Sequence, residues 1–253
     1  MKIDSVLILA AGKGTRLKPY TDTLPKSLLP LGETNILCNL IMQTQEYFPG
    51  VKIFINTSYL AEQIIEEITN FPISRRPNVI WEPEPLGPAF TVTNHCNETN
   101  GNVLVIHGDN FFSDLAYSEF ANSVKQKSQD VSILLCHQRA KNLARSIVIQ
   151  KDGVIQSILE ISAPRLINDI EQHKSELVWT SSGALVVKKL SLMSFNPKIG
   201  ESLSPKLINF IADKGVLSLE KCVRDRISID SESSYLTAVE INKKNQKLFN
   251  RAL

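Results

Sequence analysis

The chain has 253 residues and a formal net charge of +2, from 28 basic and 26 acidic side chains. Hydrophobic residues make up 43% of the sequence, which suffices for a full core and excludes disorder as the main state. The balanced charge offers no broad field to nucleic acid or to an anionic membrane, so we expect neither as a partner. Any anionic ligand should be small and bound by locally gathered basic residues.

The cysteine and hydropathy patterns predict a cytoplasmic protein. The cysteines lie far apart and form no Cys-x-x-Cys pair, so we expect reduced thiols rather than a zinc site or a disulfide framework. The first apolar run is too short for a signal peptide, and no later run approaches the roughly 18 apolar residues of a membrane helix. The four cysteines are Cys38, Cys96, Cys136 and Cys222.

Short apolar runs alternate with helical patterns in the first half of the chain. The pattern predicts strands at 3–9, 51–56, 78–81 and from 102, with helices over 35–48 and around 60–68. This alternation is typical of βαβ units, so we predict an α/β fold with a largely parallel sheet.

The second half is less regular. It predicts a hairpin within 147–160 that turns at Asp152-Gly153, a strand from 184, and helices over 204–212 and 233–248. Residues 164–176 are polar and predict an exposed excursion. Since the sequence contains no repeat or linker, we predict a single domain over 1–253.

The segment LAAGKGTRLKPYTDTLPKSLLPLG, residues 9–32, predicts a phosphate-binding loop. Gly12 and Gly14 allow backbone N–H groups to approach an anion, and nearby basic side chains supply charge. The prolines of the segment predict an irregular arm rather than a helix. The four basic residues are Lys13, Arg16, Lys18 and Lys26.

Two common glycine loops do not fit this segment. A dinucleotide fingerprint requires a third glycine where Leu17 stands. A Walker A loop requires Gly-Lys-Ser/Thr where Leu17-Lys18-Pro19 stands.

The segment resembles the signature of the sugar-1-phosphate nucleotidylyltransferases, Gly-x-Gly-Thr-Arg, then Pro-x-Thr, then Pro-Lys-x-Leu. Residues 82–89 resemble the base-binding loop of this family, and Gly108-Asp109-Asn110 resembles its metal-binding strand end. Residues 230–236 resemble its second metal segment. The family includes mannose-1-phosphate guanylyltransferases and glucose-1-phosphate thymidylyltransferases.

The resemblance implies a Rossmann-like, three-layer α/β/α nucleotide-diphospho-sugar transferase fold with a mixed, mostly parallel central sheet. A nucleotide-binding half would cover about 1–115 and a sugar-phosphate-binding half about 116–253. The implied reaction transfers a nucleoside monophosphate from a nucleoside triphosphate to a sugar 1-phosphate, with Mg²⁺ as cofactor and pyrophosphate as the second product. A homodimer is left open.

The resemblance also assigns roles to residues. Arg16 would contact the leaving pyrophosphate, Lys26 the α-phosphate or the sugar phosphate, and Asp109 and Asp230 the metal. The nucleotide-binding residues would be Leu9, Ala10, Ala11, Gly12, Lys13, Gly14, Thr15, Glu82 and Gly87. The sugar-phosphate-binding residues would be Asn110, Ser146, Glu160 and Ser182.

The chemistry of the substrates limits what the site must supply. A phosphate has a second pKa of about 6, so the acceptor is ionised near neutral pH and needs no general base. The carboxylate of Glu82 only accepts hydrogen bonds, which favours guanine with its two adjacent donors. GTP is therefore slightly favoured, and UTP, dTTP and CTP stay open.

The departures from the family pattern lie on the acceptor side. Ile161 stands where relatives carry a lysine, Ser146 replaces a glycine, and Glu232 replaces the glycine of Asp-x-Gly. Either the acceptor is unusual or a neighbouring cation, Arg145 or Arg165, replaces the lysine. Two alternatives therefore stay open: a non-catalytic nucleotide- or sugar-nucleotide-binding protein, and a cytidylyltransferase acting on a non-sugar phosphate such as phosphocholine.

Overall fold

The computed structural model describes residues 1–127, 132–138, 146–151, 154–160, 177–222 and 226–252. The strands among them are β1 Ser5–Leu9, β2 Pro30–Leu31, β3 Thr34–Asn35, β4 Lys52–Thr57, β5 Asn78–Trp81, β6 Asn102–His107, β7 Asn110–Phe112, β8 Ser132–Gln138, β9 Ser146–Lys151, β10 Val154–Glu160, β11 Leu177–Lys188, β12 Leu217–Cys222 and β13 Arg226–Ser228. The α-helices are α1 Ile36–Tyr47, α2 Ala61–Thr69, α3 Pro88–Glu98, α4 Asp114–Gln126, α5 Asn209–Asp213 and α6 Glu232–Ala252.

The central sheet has the order β10-β9-β11-β6-β1-β4-β5, and β8 joins it by pairing with β11 and β12. The strand β1 pairs in parallel with β4 and with β6, while β11 runs antiparallel to β6. In this register Leu9 lies beside both Asn56 and His107. The carboxyl ends of the three parallel strands therefore meet at one edge of the sheet, and the predicted mixed α/β sheet is confirmed.

The sheet is covered on both faces, which explains why its central strands are continuously apolar. Alternate residues of β1 point to opposite faces: Val6 and Ile8 belong to one buried cluster, and Leu7 belongs to the other. The first cluster includes residues of α1, α4 and α6, and the second includes residues of α3 and α5. This arrangement is the three-layer α/β/α architecture that the resemblance implied.

Helix caps explain where two helices of the first layer begin. The side chain of Asn35 accepts a hydrogen bond from the backbone N–H of Cys38 at 2.8 Å. Ser113 does the same for Ala116 at 3.2 Å. The predicted helix over 35–48 and the predicted strands of the first half are confirmed to within a few residues.

The second half departs from the sequence prediction in one helix. The predicted helix over 204–212 is a π-helix, Leu203–Ile208, followed by α5. The wider turn lets Leu203, Leu207 and Ile208 share one buried cluster. The side chain of Asn209 meanwhile bonds both the backbone N–H and the carbonyl of Ile158, each at 2.8 Å.

Other sequence predictions for the second half are only partly described by the structure. The strands β9 and β10 pair antiparallel, as the hairpin prediction required, but Asp152, Gly153 and 164–176 lie outside the described residues. Strand β11 begins at Leu177, before the predicted residue 184, and its register shifts between Ser181 and Leu185.

Three cysteines are unpaired and buried: Cys38, Cys96 and Cys136. Burial raises the pKa of Cys38 and of Cys96 to about 12, so both thiols are protonated at neutral pH. The side chain of Cys222 lies outside the described residues.

None of the helices in the described ranges combines the length and hydropathy that crossing a bilayer requires.

A buried hydrogen bond between the hydroxyls of Thr44 and Tyr117 joins α1 to α4, and its contribution to stability can be measured. Thr44 donates to the carbonyl of Leu40 at 2.7 Å, so it accepts from the hydroxyl of the fully buried Tyr117, also at 2.7 Å. Tyr117→Phe should lower the free energy of unfolding in urea by about 1 kcal/mol, because one buried hydrogen bond is lost. Tyr47→Phe is the matched control, and an equal loss in both variants would contradict the assignment.

Candidate active site

A cavity of about 420 Å³ lies at the carboxyl ends of β1, β4 and β6. All nine residues that the sequence assigned to the nucleotide line it, as do Arg16, Lys26 and Asp109. A second cavity, of about 600 Å³, lies at the opposite ends of these strands near Ser5 and Lys52, and its lining includes none of the predicted site residues. The smaller cavity is therefore the candidate active site. Its lining also includes Ser27, Asn56, Pro85, Pro88, His107 and Gly108.

The glycine loop is folded back against the arm that follows it. Gly14 has a φ of +63°, and a Cβ there would lie 3.0 Å from side-chain atoms of Thr21 and Lys26. The Thr21 hydroxyl donates to the Gly14 carbonyl at 2.9 Å. The arm contains two short 3₁₀ turns, Thr15–Leu17 and Lys26–Leu28, so the predicted irregular segment is confirmed. These contacts bring Lys26 beside the loop that precedes it in sequence.

Four charged side chains, Arg16, Lys26, Asp109 and Asp230, form a group that we call the charge cluster. The ammonium of Lys26 contacts Asp109 Oδ2 at 2.6 Å and Asp230 Oδ1 at 3.2 Å. Arg16 contacts the same Asp230 oxygen at 2.8 Å. The two predicted phosphate ligands and the two predicted metal ligands are therefore adjacent, although Lys26 and Asp230 are 204 positions apart.

The backbone after β13 places Asp230 in this cluster. The N–H of Ile229 donates to the carbonyl of Asp109 at 2.9 Å, which holds the two carboxylate-bearing segments side by side. Ser228 donates its hydroxyl to Asp230 Oδ2 at 3.0 Å. Burial acts to raise the pKa of Asp230, but Lys26, Arg16 and Ser228 outweigh it and hold that pKa below its ordinary value. Asp230 is thus ionised at neutral pH.

The carboxylates of the cluster fit a magnesium ion. Asp109 Oδ1 is buried and accepts no hydrogen bond within the described part of the chain. The described residues contain no group of three or more metal-ligating side chains, so this part of the chain offers two carboxylates and no complete cage. Mg²⁺ is usually held by one or two carboxylates together with substrate phosphates, and Asp109 and Asp230 match that donor set.

His107 lines the cavity, two residues before Asp109 of the charge cluster. Burial lowers its pKa and outweighs the charge of Asp109, which acts to raise it; Arg226 and Lys26 add smaller effects in the direction of burial. The ring is therefore neutral at neutral pH.

Glu82 is 2% exposed and holds the loop at one side of the cavity. Its Oε1 accepts from Asn56 at 3.0 Å and from Thr91 at 2.5 Å, and its Oε2 accepts from the N–H of Leu86 at 3.0 Å. Most of its acceptor capacity is thus used within the protein.

Asn56 links this loop to the glycine loop, and sequence reasoning missed it. Its Oδ1 accepts from the N–H of Ala10 at 2.8 Å while its amide donates to Glu82. The sequence signal that could have identified Asn56 is a polar residue near the carboxyl end of a buried strand.

Gly87 is required by its backbone and by its surroundings. It has a φ of +90°, and a Cβ there would lie 2.8 Å from the backbone of Gly200. The N–H of Gly200 donates to the carbonyl of Leu86 at 2.8 Å, so the two loops are in direct contact. Residues near 200 therefore support the loop that was predicted to bind the base.

The acceptor side is described in part. Asn110 is fully buried and donates to the carbonyl of Gly183 at 3.0 Å. Arg226, which sequence reasoning did not select, donates to Oδ1 of the Asn110 side chain. Ser146, Glu160 and Ser182 lie on β9, β10 and β11, but their side chains lie outside the described residues, as do Arg145, Ile161 and Arg165 entirely.

Glu232, the departure from the Asp-x-Gly pattern, fastens the arm to α6. The hydroxyl of Tyr20 donates to Glu232 Oε1 at 2.7 Å, and the Tyr20 ring packs edge-on against Tyr235 at 5.8 Å. Tyr235 in turn donates to the carbonyl of Pro30 at 2.9 Å. The glutamate thus has a structural partner at the edge of the site.

Open sheets of this kind bind ligands at the carboxyl ends of their strands, and the site found here has the charges for a phosphorylated ligand. Residues 5–160 match the family model described as nucleotidyl transferase, which is more than half of the chain. The chain therefore belongs to the nucleotidyl transferase family, and the family resemblance seen in the sequence is confirmed.

Curated relatives extend the match. The bifunctional protein GlmU of Methanococcus maripaludis strain C7 is 33% identical over 236 residues, which are 93% of this chain and 49% of that protein. The GlmU of M. maripaludis strain S2 is 26% identical over 235 residues, with the same shares. The chain thus spans about half the length of these relatives.

Solved structures share the fold. A Bacillus anthracis protein described as a glucose-1-phosphate thymidylyltransferase has a TM-score of 0.74 at 18% identity, with 94% of each chain covered. HddC from Yersinia pseudotuberculosis has a TM-score of 0.70 at 24% identity, covering 94% of this chain and 99% of that one. HddC complexed with GMP-PN gives 0.68 at 23% identity, with the same coverage. These matches confirm the predicted Rossmann-like fold.

A pair of variants can distinguish the effect of the contact between Gly87 and Gly200 on stability from the effect of backbone strain. Gly87→Ala and Gly50→Ala both place a side chain at positive φ, which costs of order 1–3 kcal/mol. Gly50 has no atom within 4 Å of the added Cβ, whereas Gly87 meets the Gly200 backbone. Gly87→Ala should therefore lose more stability in urea and also weaken nucleoside triphosphate binding, measured by calorimetry. Equal stability losses and unchanged binding would contradict this role.

Lys26→Met should raise the pKa of Asp230, because burial then acts against Arg16 and Ser228 alone. A carbon-detected NMR titration of metal-free protein measures this directly. A depressed carboxyl pKa contributes stability above its ordinary value of 3.8 that is lost as pH falls through the folded-state pKa, so this contribution should shrink. Lys18→Met, which removes only a pair with Asp22, is the control. An unchanged Asp230 titration in Lys26→Met would overturn the assignment.

Proposed function

We propose that this chain transfers a nucleoside monophosphate from a nucleoside triphosphate to a sugar 1-phosphate and releases pyrophosphate. The observation that carries the proposal is the charge cluster at one end of the cavity. It places two cations and two carboxylates beside the glycine loop, within reach of a triphosphate bound there. Family membership supports the same class of reaction.

The proposed step is an in-line substitution at phosphorus. An oxygen of the acceptor phosphate forms a bond to the α-phosphorus, and the bond from that phosphorus to the bridging oxygen breaks, so that pyrophosphate leaves with its electron pair. No proton transfer is required of the protein, because the acceptor oxygen is already ionised. The task of the site is alignment and charge neutralisation.

The residues of the cluster divide this task between them. Arg16 would contact the departing phosphates, and Lys26 would contact the α-phosphate, both by moving from carboxylate to phosphate oxygens. Asp109 and Asp230 would hold Mg²⁺, which neutralises phosphate charge when bound. The neutral ring of His107 adds no positive or negative charge to this group.

We infer that one domain over 1–253 carries both substrates, with the nucleotide on about 1–115 and the sugar phosphate on about 116–253. The contact of Lys26 and Arg16 with Asp230 supports a site shared by both halves. A cytoplasmic location stays a prediction from the sequence, and a homodimer stays open.

For the base, we keep GTP as the first candidate and UTP, dTTP and CTP as others. The complex of HddC with GMP-PN supports a guanine nucleotide, whereas the Bacillus anthracis neighbour is described as a thymidylyltransferase. The internal hydrogen bonds of Glu82 weaken the argument that this carboxylate selects guanine, since three donors of the protein already occupy it. We do not propose the non-catalytic alternative or the phosphocholine acceptor, because the whole charge cluster is present and no contact within the described ranges favours choline.

A panel of the four nucleoside triphosphates against sugar 1-phosphates, read by pyrophosphate release with Mg²⁺, tests the proposal. We expect turnover with at least one pair and its loss in EDTA. Arg16→Ala and Asp109→Ala should each reduce kcat by about 10²-fold or more, because each removes a group that acts on the transferred charge.

Arg75→Ala, in a short turn on the far edge of the sheet, is the control and should retain wild-type rates. Melting curves for all variants exclude unfolding as the cause. Absence of turnover on every pair, or wild-type rates in Arg16→Ala, would refute the proposal.

A further inference from the structure

One face of β13 continues the site beyond the charge cluster. Arg226 and Ser228 are two positions apart in β13 and therefore share a face of this strand. Ser228 donates to Asp230, which follows the strand. Ile227 and Ile229 pack against the buried core. Arg226 therefore lies on the face of β13 whose Ser228 contacts Asp230.

The guanidinium of Arg226 is held in place by a relay of two groups. It donates to the side-chain oxygen of Asn110, whose amide donates to the carbonyl of Gly183 at 3.0 Å. Both ends of the Asn110 side chain are thus committed, and this side chain is fully buried. The Arg226 side chain is thus oriented by Asn110, the residue that follows Asp109.

Gly183 makes this arrangement possible. Its φ is +66°, and a Cβ there would lie 2.6 Å from the Asn110 amide nitrogen and 3.3 Å from an Arg226 nitrogen. It lies where the register of β11 shifts, which directs its carbonyl toward Asn110. Any larger residue would displace the relay, so the backbone here is shaped around Arg226.

The division of roles proposed above leaves the acceptor phosphate without a cation. Arg16 and Lys26 contact the triphosphate, and Asp109 and Asp230 hold the metal, so no member of the charge cluster is assigned to the acceptor. Arg226 contacts Asn110, the residue that follows Asp109, and the backbone N–H of Ile229 on the same segment donates to the Asp109 carbonyl. Arg226 is thus a third cation beside the charge cluster.

We propose that Arg226 binds the phosphate of the acceptor substrate, in the place for which the sequence suggested Arg145 or Arg165. This inference rests on the proposed function. A guanidinium presents a planar fork of N–H donors that matches two phosphate oxygens, and a residue oriented by Asn110 loses little freedom on binding. The ligand class is a phosphate monoester, and the nucleotide is not its ligand.

Steady-state kinetics of Arg226→Gln and Arg226→Lys test the assignment. With the acceptor varied at saturating nucleotide, Arg226→Gln should lower kcat/KM by roughly 10- to 100-fold, as expected for a lost charge-assisted hydrogen bond. Arg226→Lys should recover part of the loss, because it retains charge without the fork. The KM for the nucleoside triphosphate should not change in either variant. Arg75→Gln is the matched control.

A merely structural role would give another pattern. It would lower the melting temperature and affect the kinetics of both substrates alike, and Arg226→Lys would bring no recovery. That pattern, or wild-type acceptor kinetics in Arg226→Gln, overturns the proposal. If Arg226→Gln does not fold, Arg226→Lys alone decides between a selective acceptor defect and none.

Direct binding separates this proposal from the proposed function. Calorimetry of wild-type protein with inorganic phosphate and with glucose 1-phosphate, each without nucleotide, should show binding that Arg226→Gln loses and Arg75→Gln retains. If no pair of substrates turns over but this difference is seen, the proposed function fails and the Arg226 site stands. If wild-type protein binds neither probe, or all three proteins bind equally, the Arg226 site fails.

Discussion

The ammonium of Lys26, held between Asp109 and Asp230, is the interaction on which the site depends. It joins three separate segments: the arm after the glycine loop, the end of β6, and the turn before α6. Two carboxylates brought this close would repel each other without a cation between them. The fold holds the two carboxylate-bearing segments in register through the antiparallel pairing of β13 with β7 and the hydrogen bond from the N–H of Ile229 to the carbonyl of Asp109.

The other side of the cavity is organised by a buried carboxylate. Glu82 receives hydrogen bonds from Asn56, Thr91 and the backbone of Leu86, and Asn56 reaches the glycine loop through Ala10. A buried carboxylate is tolerated only when such donors surround it. The site thus has two differently built sides: one side of ion pairs that can exchange partners, and one side of hydrogen bonds around Glu82 that fixes loop positions.

Much of the fold could be predicted from the sequence because the relevant signals are local. A strand such as β1 is recognised by its apolar run, and a helix such as α1 by its apolar periodicity, each within a dozen residues. The glycine loop is recognised by the spacing of its glycines. The motif also identified the members of the charge cluster by resemblance. Partnerships across the chain were not predictable in this way: nothing near Arg226 in sequence indicates Asn110 or Gly183, and nothing near Glu82 indicates Asn56. The π-helix before α5 likewise reflects packing in the tertiary structure rather than local preference.

Asp230 lies far along the chain from Lys26 and Asp109, and this separation has a consequence for biosynthesis. During translation the glycine loop, the arm and β6 all emerge while the segment that carries Asp230 has not yet been made. Domains with such long-range contacts complete their structure only when the distant segment arrives. A nascent chain therefore holds Lys26 and Asp109 without their third partner, and Tyr20 and Pro30 without α6 to fasten them. The charge cluster is completed only after the segment that carries Asp230 has been made, so a ribosome-bound intermediate can have most of its sheet and still lack this cluster.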